Sequence, residues 1–587
     1  MTFVLKLIQM IFINCLVSFA FICVNICPTN NGDIIDGNPL GSDINFNEQS
    51  QTLLPKIQIA FFIRNKAHTL PYFLGNLERL NYPKKNIGLY IRLDHSEDNS
   101  SVIMDTWMLQ IQSEYHHVDY KVSNEGERFG EDILTMWSKE RYEHIIQLRN
   151  QALKSARAVW ADYLLMMDAD VMIVNENTIQ DLIVHKVPVV SPLLNCTNLS
   201  PYSNFWGDMT ETGYYKRSED YFDIQKREKK GIFKVPMVHS VYFIDLNLVS
   251  TANLTFLPET DNKYPIDDII LFAKSAEKNE AHMYIDNSKL YGYFSSPVEN
   301  DGLSREIEIF NHAKFQIMLD REDQEDLFVL RTSKYLPISL PKKSKLGFDE
   351  IYLINLKRRP DRRLKMEYIF DELGIEAKYF EAVDGKKLNK TYLDSLNVKQ
   401  LPGYSDPYHK RDLKMGEIGC FLSHYFIWKD MMDNNYEKIL IFEDDIRFGP
   451  GFKRSLNVVM KEAEIFIPDW ELFYLGRKRM SDKEAYVSDD AHLVYPDYTY
   501  WTLSYIINRK GVEKVLAQNP LSKMIAVDEF LPIMFDRHPQ DDWKTHFAPR
   551  NLVAISSEPL LLEPTHYTGE PKYISDTEDS TIVEDLK

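Results

Sequence analysis

Lys438-Ile439-Leu440-Ile441-Phe442 runs straight into Glu443-Asp444-Asp445, and Tyr163-Leu164-Leu165-Met166-Met167 runs the same way into Asp168-Ala169-Asp170. Each is a short apolar run of the length of a buried strand that ends in carboxylates. Ahead of the first-half copy, Ile145, Leu148, Ala152, Leu153, Ala156 and Val159 fall on one helical face. Ahead of the second-half copy, Gly416 to Met432 reads as a helix. The order helix, buried strand, acids therefore occurs twice.

Working outward, Ile57 to Ile63 reads as a buried strand and Leu70, Phe73, Leu74, Leu77 and Leu80 have helical spacing. Ile87 to Leu93 is a second strand ending at Asp94, and Val118 to Val122 a third. Strands alternating with helices predict a parallel α/β sheet. A second cycle opens at Glu350-Ile351-Tyr352-Leu353-Ile354-Asn355, after Ser339-Leu340-Pro341-Lys342-Lys343-Ser344-Lys345, which reads as a linker with the boundary near residue 340.

The chain has 587 residues, which at about 150 per domain implies two to four compact units. Hydrophobic residues at 44%, with 33 Tyr and 32 Phe, give ample material for cores. The formal charge is -19, so a nucleic acid would meet net repulsion. The apolar run from Leu7 to Ile26 after Lys6 reads as a secretory signal with Ser18-Phe19-Ala20 at its cleavage site, or as a retained anchor. Cys196 and Cys420 stand far apart in the body, so no disulfide framework is implied. Asn-x-Ser/Thr sequons begin at Asn99, Asn195, Asn198, Asn253 and Asn389, in keeping with secretion. The tail, with Ser575-Asp576-Thr577-Glu578-Asp579-Ser580, is acidic and rich in small residues; it reads as mobile and receives no catalytic role.

In open α/β sheets ligands bind beyond the carboxyl ends of the strands, where both acidic clusters sit. Closely spaced carboxylates there can hold Mg2+ or Mn2+ with positions left for phosphate oxygens. Such an ion offsets the charge that develops on a departing nucleotide diphosphate. A lone Asp-x-Asp is more often a solvated turn; the strand and helix before Asp168 and Asp170, with Asp94 placed to meet a nucleotide base, favour a metal-nucleotide site. Asp267 and Asp268 open an apolar helix and read as caps. His239 and His282 are left unassigned. Lys357-Arg358-Arg359-Pro360-Asp361-Arg362-Arg363 follows a strand and opens a helix, which suits phosphate as well as a solvated basic helix start. Asp528-Glu529 offers a general base, against the plainer reading of a helix cap.

With those residues in view, the chain resembles the procollagen galactosyltransferase family. The second-half likeness rests on Ile351 to Arg363, on Gly416-Glu417-Ile418-Gly419-Cys420-Phe421-Leu422-Ser423-His424, and on Phe442 to Asp445; the first-half likeness rests on Ile63 to His68 and Leu165 to Asp170. The resemblance implies an α/β fold of two tandem Rossmann-like GT-A-type glycosyltransferase domains. Their expected extents are 1–26 for the leader, 53–335 for the N-terminal GT-A-like domain, 336–347 for the linker, 348–567 for the C-terminal family 25 domain and 568–587 for the tail.

It also implies β-galactosyl transfer from UDP-galactose to the hydroxyl of hydroxylysine in collagen or procollagen chains, with Mn2+, in the endoplasmic reticulum lumen. Inversion calls for a general base, with Asp528 or Glu529 the first candidates. Asn355, Arg358, Arg359, Arg362 and Asp94 are the expected donor-binding residues, and Glu443, Asp444, Asp445, Asp168 and Asp170 the expected metal ligands. His424 is catalytic, donor-orienting or a neutral core residue. The family often ends in Arg-Asp-Glu-Leu, whereas this chain ends Val583-Glu584-Asp585-Leu586-Lys587, so lumenal retention is indirect or leaky. A catalytically silent collagen-binding or adhesion relative, and a transferase with another UDP-sugar or acceptor, remain alternatives; whether copies form a homo-oligomer stays open.

Overall fold

The structure, a computed structural model, describes residues 54–123, 137–198, 201–296, 302–321, 330–407, 409–481, 483–570 and 572–577. The expected leader and residues 578–587 of the tail lie outside them. Pro55–Lys587 form one compact unit. Among the described residues no helix is long and apolar enough to cross a membrane.

The first half is built on β1 (Ile57–Ile63), α1 (Leu70–Arg79), β2 (Ile87–Asp94), α2 (Ser100–Ile111), β3 (His117–Ser123), α3 (Lys139–Ala158) and β4 (Tyr163–Asp168). Then come β5 (Val189–Pro192), β6 (Ile232–Val235), β7 (Val241–Asp245), α4 (Asp268–Lys278), β8 (Met283–Asp286) and α5 (Leu303–Asp320). One eight-stranded sheet has the order β6-β8-β5-β7-β4-β1-β2-β3. The strands β4, β1, β2 and β3 run parallel, as alternation with helices requires, and β7 pairs antiparallel to β4. The register sets Phe62 of β1 opposite Asp168.

The second half repeats the scheme. Its elements are β9 (Glu350–Asn355), α6 (Pro360–Leu373), β10 (Lys378–Glu381), α7 (Met415–Asp433), β11 (Lys438–Glu443), α8 (Phe452–Phe466), β12 (Leu472–Arg479), β13 (Ala485–Tyr486), β14 (Leu493–Tyr495), β15 (Thr499–Asn508), α9 (Arg509–Ala517), α10 (Val527–Met534) and β16 (Ala554–Ser557). The sheet order is β10-β9-β11-β15-β12-β16-β14-β13. Here β10, β9 and β11 are parallel and β15 lies antiparallel against β11, the same relation that β7 has to β4. In both halves a buried parallel strand carries acids at its carboxyl end, with a parallel neighbour on one side and an antiparallel one on the other.

The second sheet is packed on both faces. Phe421, Trp428 and Met431 of α7 join Phe530 and Leu531 of α10 on one face. On the other, Phe315 and Met318 of α5 pack with Met366 and Phe370 of α6, so a first-half helix is part of the second-half core. Beside that contact Lys314 is ion-paired to Glu372, which also accepts a hydrogen bond from Tyr72 Oη at 3.2 Å. Residues 337–344 between the halves are exposed. Asp267 caps α4 by accepting from the Ile269 and Ile270 amides, as its position before the apolar run suggested.

Candidate active site

Buried Ile439 to Phe442 fix β11 between β9 and β15, so the strand delivers Glu443 at its carboxyl end with Asp444 and Asp445 in the turn beyond. These acids line a cavity of about 250 Å³ together with Asn355, Arg358, Arg362, His424, Asp528 and Asp576. Glu443 Oε1 accepts from Thr502 Oγ1 at 2.5 Å and lies 3.4 Å from His424 Nε2. Burial raises the Glu443 carboxyl, but His424 and Thr502 reverse that and leave it below its ordinary value. Asp444 Oδ2 accepts from Asn355 Nδ2 at 2.5 Å, and its Oδ1 from Arg362 Nη1 at 3.1 Å. Asp445 Oδ2 stands 3.3 Å from the same guanidinium nitrogen. Burial, with Asp444 and Glu443 adding to it against Arg362, pushes Asp445 up to about 7.

Asp445 Oδ1 is buried with no hydrogen-bond partner among the described residues. An orphaned carboxylate oxygen beside two further carboxylates is the donor set of a hard divalent cation, so these residues fit one. Cys420, His424 and Glu443 also bring their ligand atoms within 4.8 Å of one another, the one such cluster among the described residues. Burial pushes the Cys420 thiol up, away from the thiolate that metal binding needs.

The basic run divides. Arg358 and Arg359 turn to the Asp576 carboxylate, with Arg358 Nη1 to Oδ1 at 2.6 Å, Arg359 Nε to Oδ2 at 2.8 Å and Arg359 Nη2 to Oδ1 at 3.0 Å. Arg362 spans the acidic turn and the tail, donating also to the Ile574 carbonyl at 2.9 Å. Arg363 instead pairs with Glu367 and lies over the Tyr379 ring, away from the cavity. The tail through Thr577, to which composition gave no role, thus forms a wall of this site. A Cβ on Gly416 would stand 2.2 Å from the Thr577 carbonyl oxygen, and one on Gly419 2.4 Å from that of Val383. Glycines at these positions let the tail and the 383–385 loop close against α7.

The expected base pair also divides. Both residues line the cavity from the first turn of α10, where neither side chain caps the helix. Glu529 is 3% exposed and accepts from Tyr498 Oη at 2.8 Å and Tyr500 Oη at 2.7 Å, with His538 Nε2 at 2.6 Å. Asp528 is half-buried.

In the first half, Asp94, Asp168 and Asp170 are brought together around a cavity of about 230 Å³. Each meets a positively charged or basic partner of the protein's own. Arg149 Nη2 lies 2.8 Å from Asp168 Oδ1, with Arg149 Nε 2.5 Å from Asp268. Lys66 Nζ lies 2.7 Å from Asp170 and is also paired with Glu306. Asp94 is paired with His95, with His144 Nε2 at 3.2 Å and Arg64 Nη1 at 3.8 Å. A cation at Asp168 and Asp170 would have to compete with Arg149 and Lys66. His239 lines the same cavity, driven down to about 4 by burial, while His282 is exposed. Arg149 shares the buried face of α3 with Ala152, Leu153 and Ala156, and its spacing from those apolar positions is its one signal in the sequence.

Residues 54–314 match "Glycosyltransferase family 25, N-terminal domain" and residues 348–531 match "Glycosyltransferase family 25 (LPS biosynthesis protein)". The chain is 46% identical over 542 residues to a glycosyltransferase 25 family member of Aedes aegypti, covering 91% of this chain and 88% of that protein. It is 44% identical over 533 residues to human procollagen galactosyltransferase 2, covering 90% and 84%. It is 43% identical over 539 residues to procollagen galactosyltransferase 1 of Danio rerio, covering 91% and 88%. The solved structure of S. aureus TarS 1-349 in complex with UDP-GlcNAc aligns over 45% of this chain and 66% of that one at 14% identity, with a TM-score of 0.27. Two matched domains over the two acid-tipped sheets, and relatives alike along nine-tenths of the sequence, make this chain an enzyme of glycosyltransferase family 25.

Proposed function

We propose that the chain transfers galactose from UDP-galactose to the hydroxyl of hydroxylysine in collagen chains, with inversion, in the endoplasmic reticulum lumen, and that transfer takes place in the second-half cavity. The observation that carries this is the convergence in one cavity of the acidic turn with an orphaned Asp445 oxygen, a helix start bearing Arg358 and Arg362, and a carboxylate on α10. The names of the vertebrate relatives, procollagen galactosyltransferases, support a galactosyl transfer to procollagen.

Glu443, Asp444 and Asp445 would hold Mn2+, which when bound supplies positive charge to the leaving diphosphate. Arg358 and Arg362, with the first amides of α6, place phosphate oxygens near the acidic turn. Asp528 takes the proton of the acceptor hydroxyl as its oxygen bonds to the sugar C1 and the bond from C1 to the UDP oxygen breaks. Glu529, held by two tyrosines and a histidine, fixes the first turn of α10 and thereby aims Asp528. The test is a panel of UDP-sugars with a hydroxylysine peptide and Mn2+. Galactose should be transferred in preference to glucose and N-acetylglucosamine, and transfer of another sugar, or of none, would overturn the reading.

A further inference from the structure

Trp428 Nε1 donates to Tyr505 Oη at 3.0 Å, and the same oxygen lies 2.9 Å from Nδ1 of His424. An indole N–H is a donor only, and a phenol has one proton. With its oxygen already accepting from Trp428, Tyr505 gives that proton to His424 Nδ1. Nδ1 then accepts, and the ring carries a hydrogen on Nε2. A hydrogen on Nδ1 would instead aim Nδ1–H and the indole N–H at one oxygen and leave the tyrosine proton without an acceptor. His424 and Tyr505 are fully buried, so no solvent relieves a wrong arrangement.

We infer that His424 is a positioning residue that presents Nε2–H to Glu443, orienting that carboxylate in the acidic turn. Nε2 is buried and among the described residues lacks an aligned hydrogen-bond partner, while Glu443 Oε1 is 3.4 Å away and accepts from Thr502. A small movement of Glu443 makes the bond. The same logic removes His424 from the Cys420-His424-Glu443 cluster as a metal ligand, since the nitrogen that faces Glu443 bears a proton. It assigns the ring an outer role, the kind that typically costs about 10–100-fold in metal affinity when lost. Trp428, Tyr505 and Thr502 become parts of the acidic turn although they line up on α7 and β15. The inference rests on Glu443, Asp444 and Asp445 being a cation site.

The test is Mn2+ titration of the full chain without substrates, followed by calorimetry, with the part lost in Asp445→Ala defining this site. His424→Ala should weaken that part about 10–100-fold, and His424→Gln, which keeps a donor near Nε2, should stay within a few-fold of the parent. Equal Mn2+ affinity in His424→Ala, or a Gln variant as weak as the Ala variant, overturns the positioning role. If the parent shows no Mn2+ binding that Asp445→Ala removes, the cation site itself fails, a separable result. Should His424→Ala not fold, the nitrogen-15 shifts of the His424 ring in the parent decide: hydrogen on Nε2 is expected, and hydrogen on Nδ1 or on both overturns the inference.

Discussion

Arg359 grips the Asp576 carboxylate through two nitrogens, which binds the end of the chain to the start of α6 more than two hundred residues earlier. Arg358 and Arg362 share that carboxylate, and burial notwithstanding, the three arginines hold it below its ordinary range. The ion pairs make residues 573–577 one side of the cavity that holds the acidic turn.

Asp576→Ala should therefore open the cavity and raise the donor KM by about tenfold or more, in keeping with about 1.5–3 kcal/mol for a charge-assisted hydrogen bond. Steady-state kinetics at varied UDP-galactose checks this; an unchanged KM would show that the tail is a bystander.

Asp528 and Glu529 should part company on substitution. Asp528→Asn should lower kcat about 10²–10⁴-fold with little change in melting temperature, as loss of the proposed general base would. Glu529→Gln puts an amide among Tyr498, Tyr500 and His538 and should destabilise by about 1–3 kcal/mol. Kinetics and thermal melts of the two variants distinguish these outcomes.

Much of this site was legible because strand and acid are contiguous. The runs before Asp168 and Glu443 became β4 and β11, and Glu350 to Asn355 became β9 at the same residues. A run of buried apolar residues specifies a strand but not its direction, so the antiparallel insertion of β7 and β15 beside the acid strands had no local signature. The partners of the acids were hidden for a similar reason. Lys66 and Asp170 are 104 residues apart, and nothing in either segment announces the pair. Tail composition misdirected in the other sense: small acidic residues solvate well alone, yet Asp576 found an arginine cluster that only the fold assembles.

Glu484 should be among the costliest single losses. Its carboxylate is fully buried against Arg477, with Nη1 to Oε1 at 2.8 Å and Nη2 to Oε2 at 2.5 Å. Glu484→Ala strands a buried guanidinium and is expected to cost about 3–5 kcal/mol. Denaturant melts report it, and a loss under 1 kcal/mol, the size of about one surface pair, would contradict the burial.

Acid stability should carry the mark of Glu306. Burial raises this carboxyl, and Lys66 and His68 overcome that to bring it down to about 2 from 4.5. A depressed folded value gives stability that is present above 4.5 and lost as pH falls toward 2. The melting temperature of Glu306→Gln should thus lie below that of the parent near neutral pH, with the gap closing between those two values. A gap that widens on acidification would reverse the sign.

The most direct measurement is galactose transfer to a hydroxylysine peptide by Asp445→Ala and Asp168→Ala, each corrected for folded protein. The expected result is loss of transfer in Asp445→Ala, whose orphaned oxygen is surrendered, and transfer within about tenfold of the parent in Asp168→Ala, whose carboxylate serves Arg149. Transfer that survives Asp445→Ala and disappears in well-folded Asp168→Ala would place the chemistry in the first half and contradict the assignment.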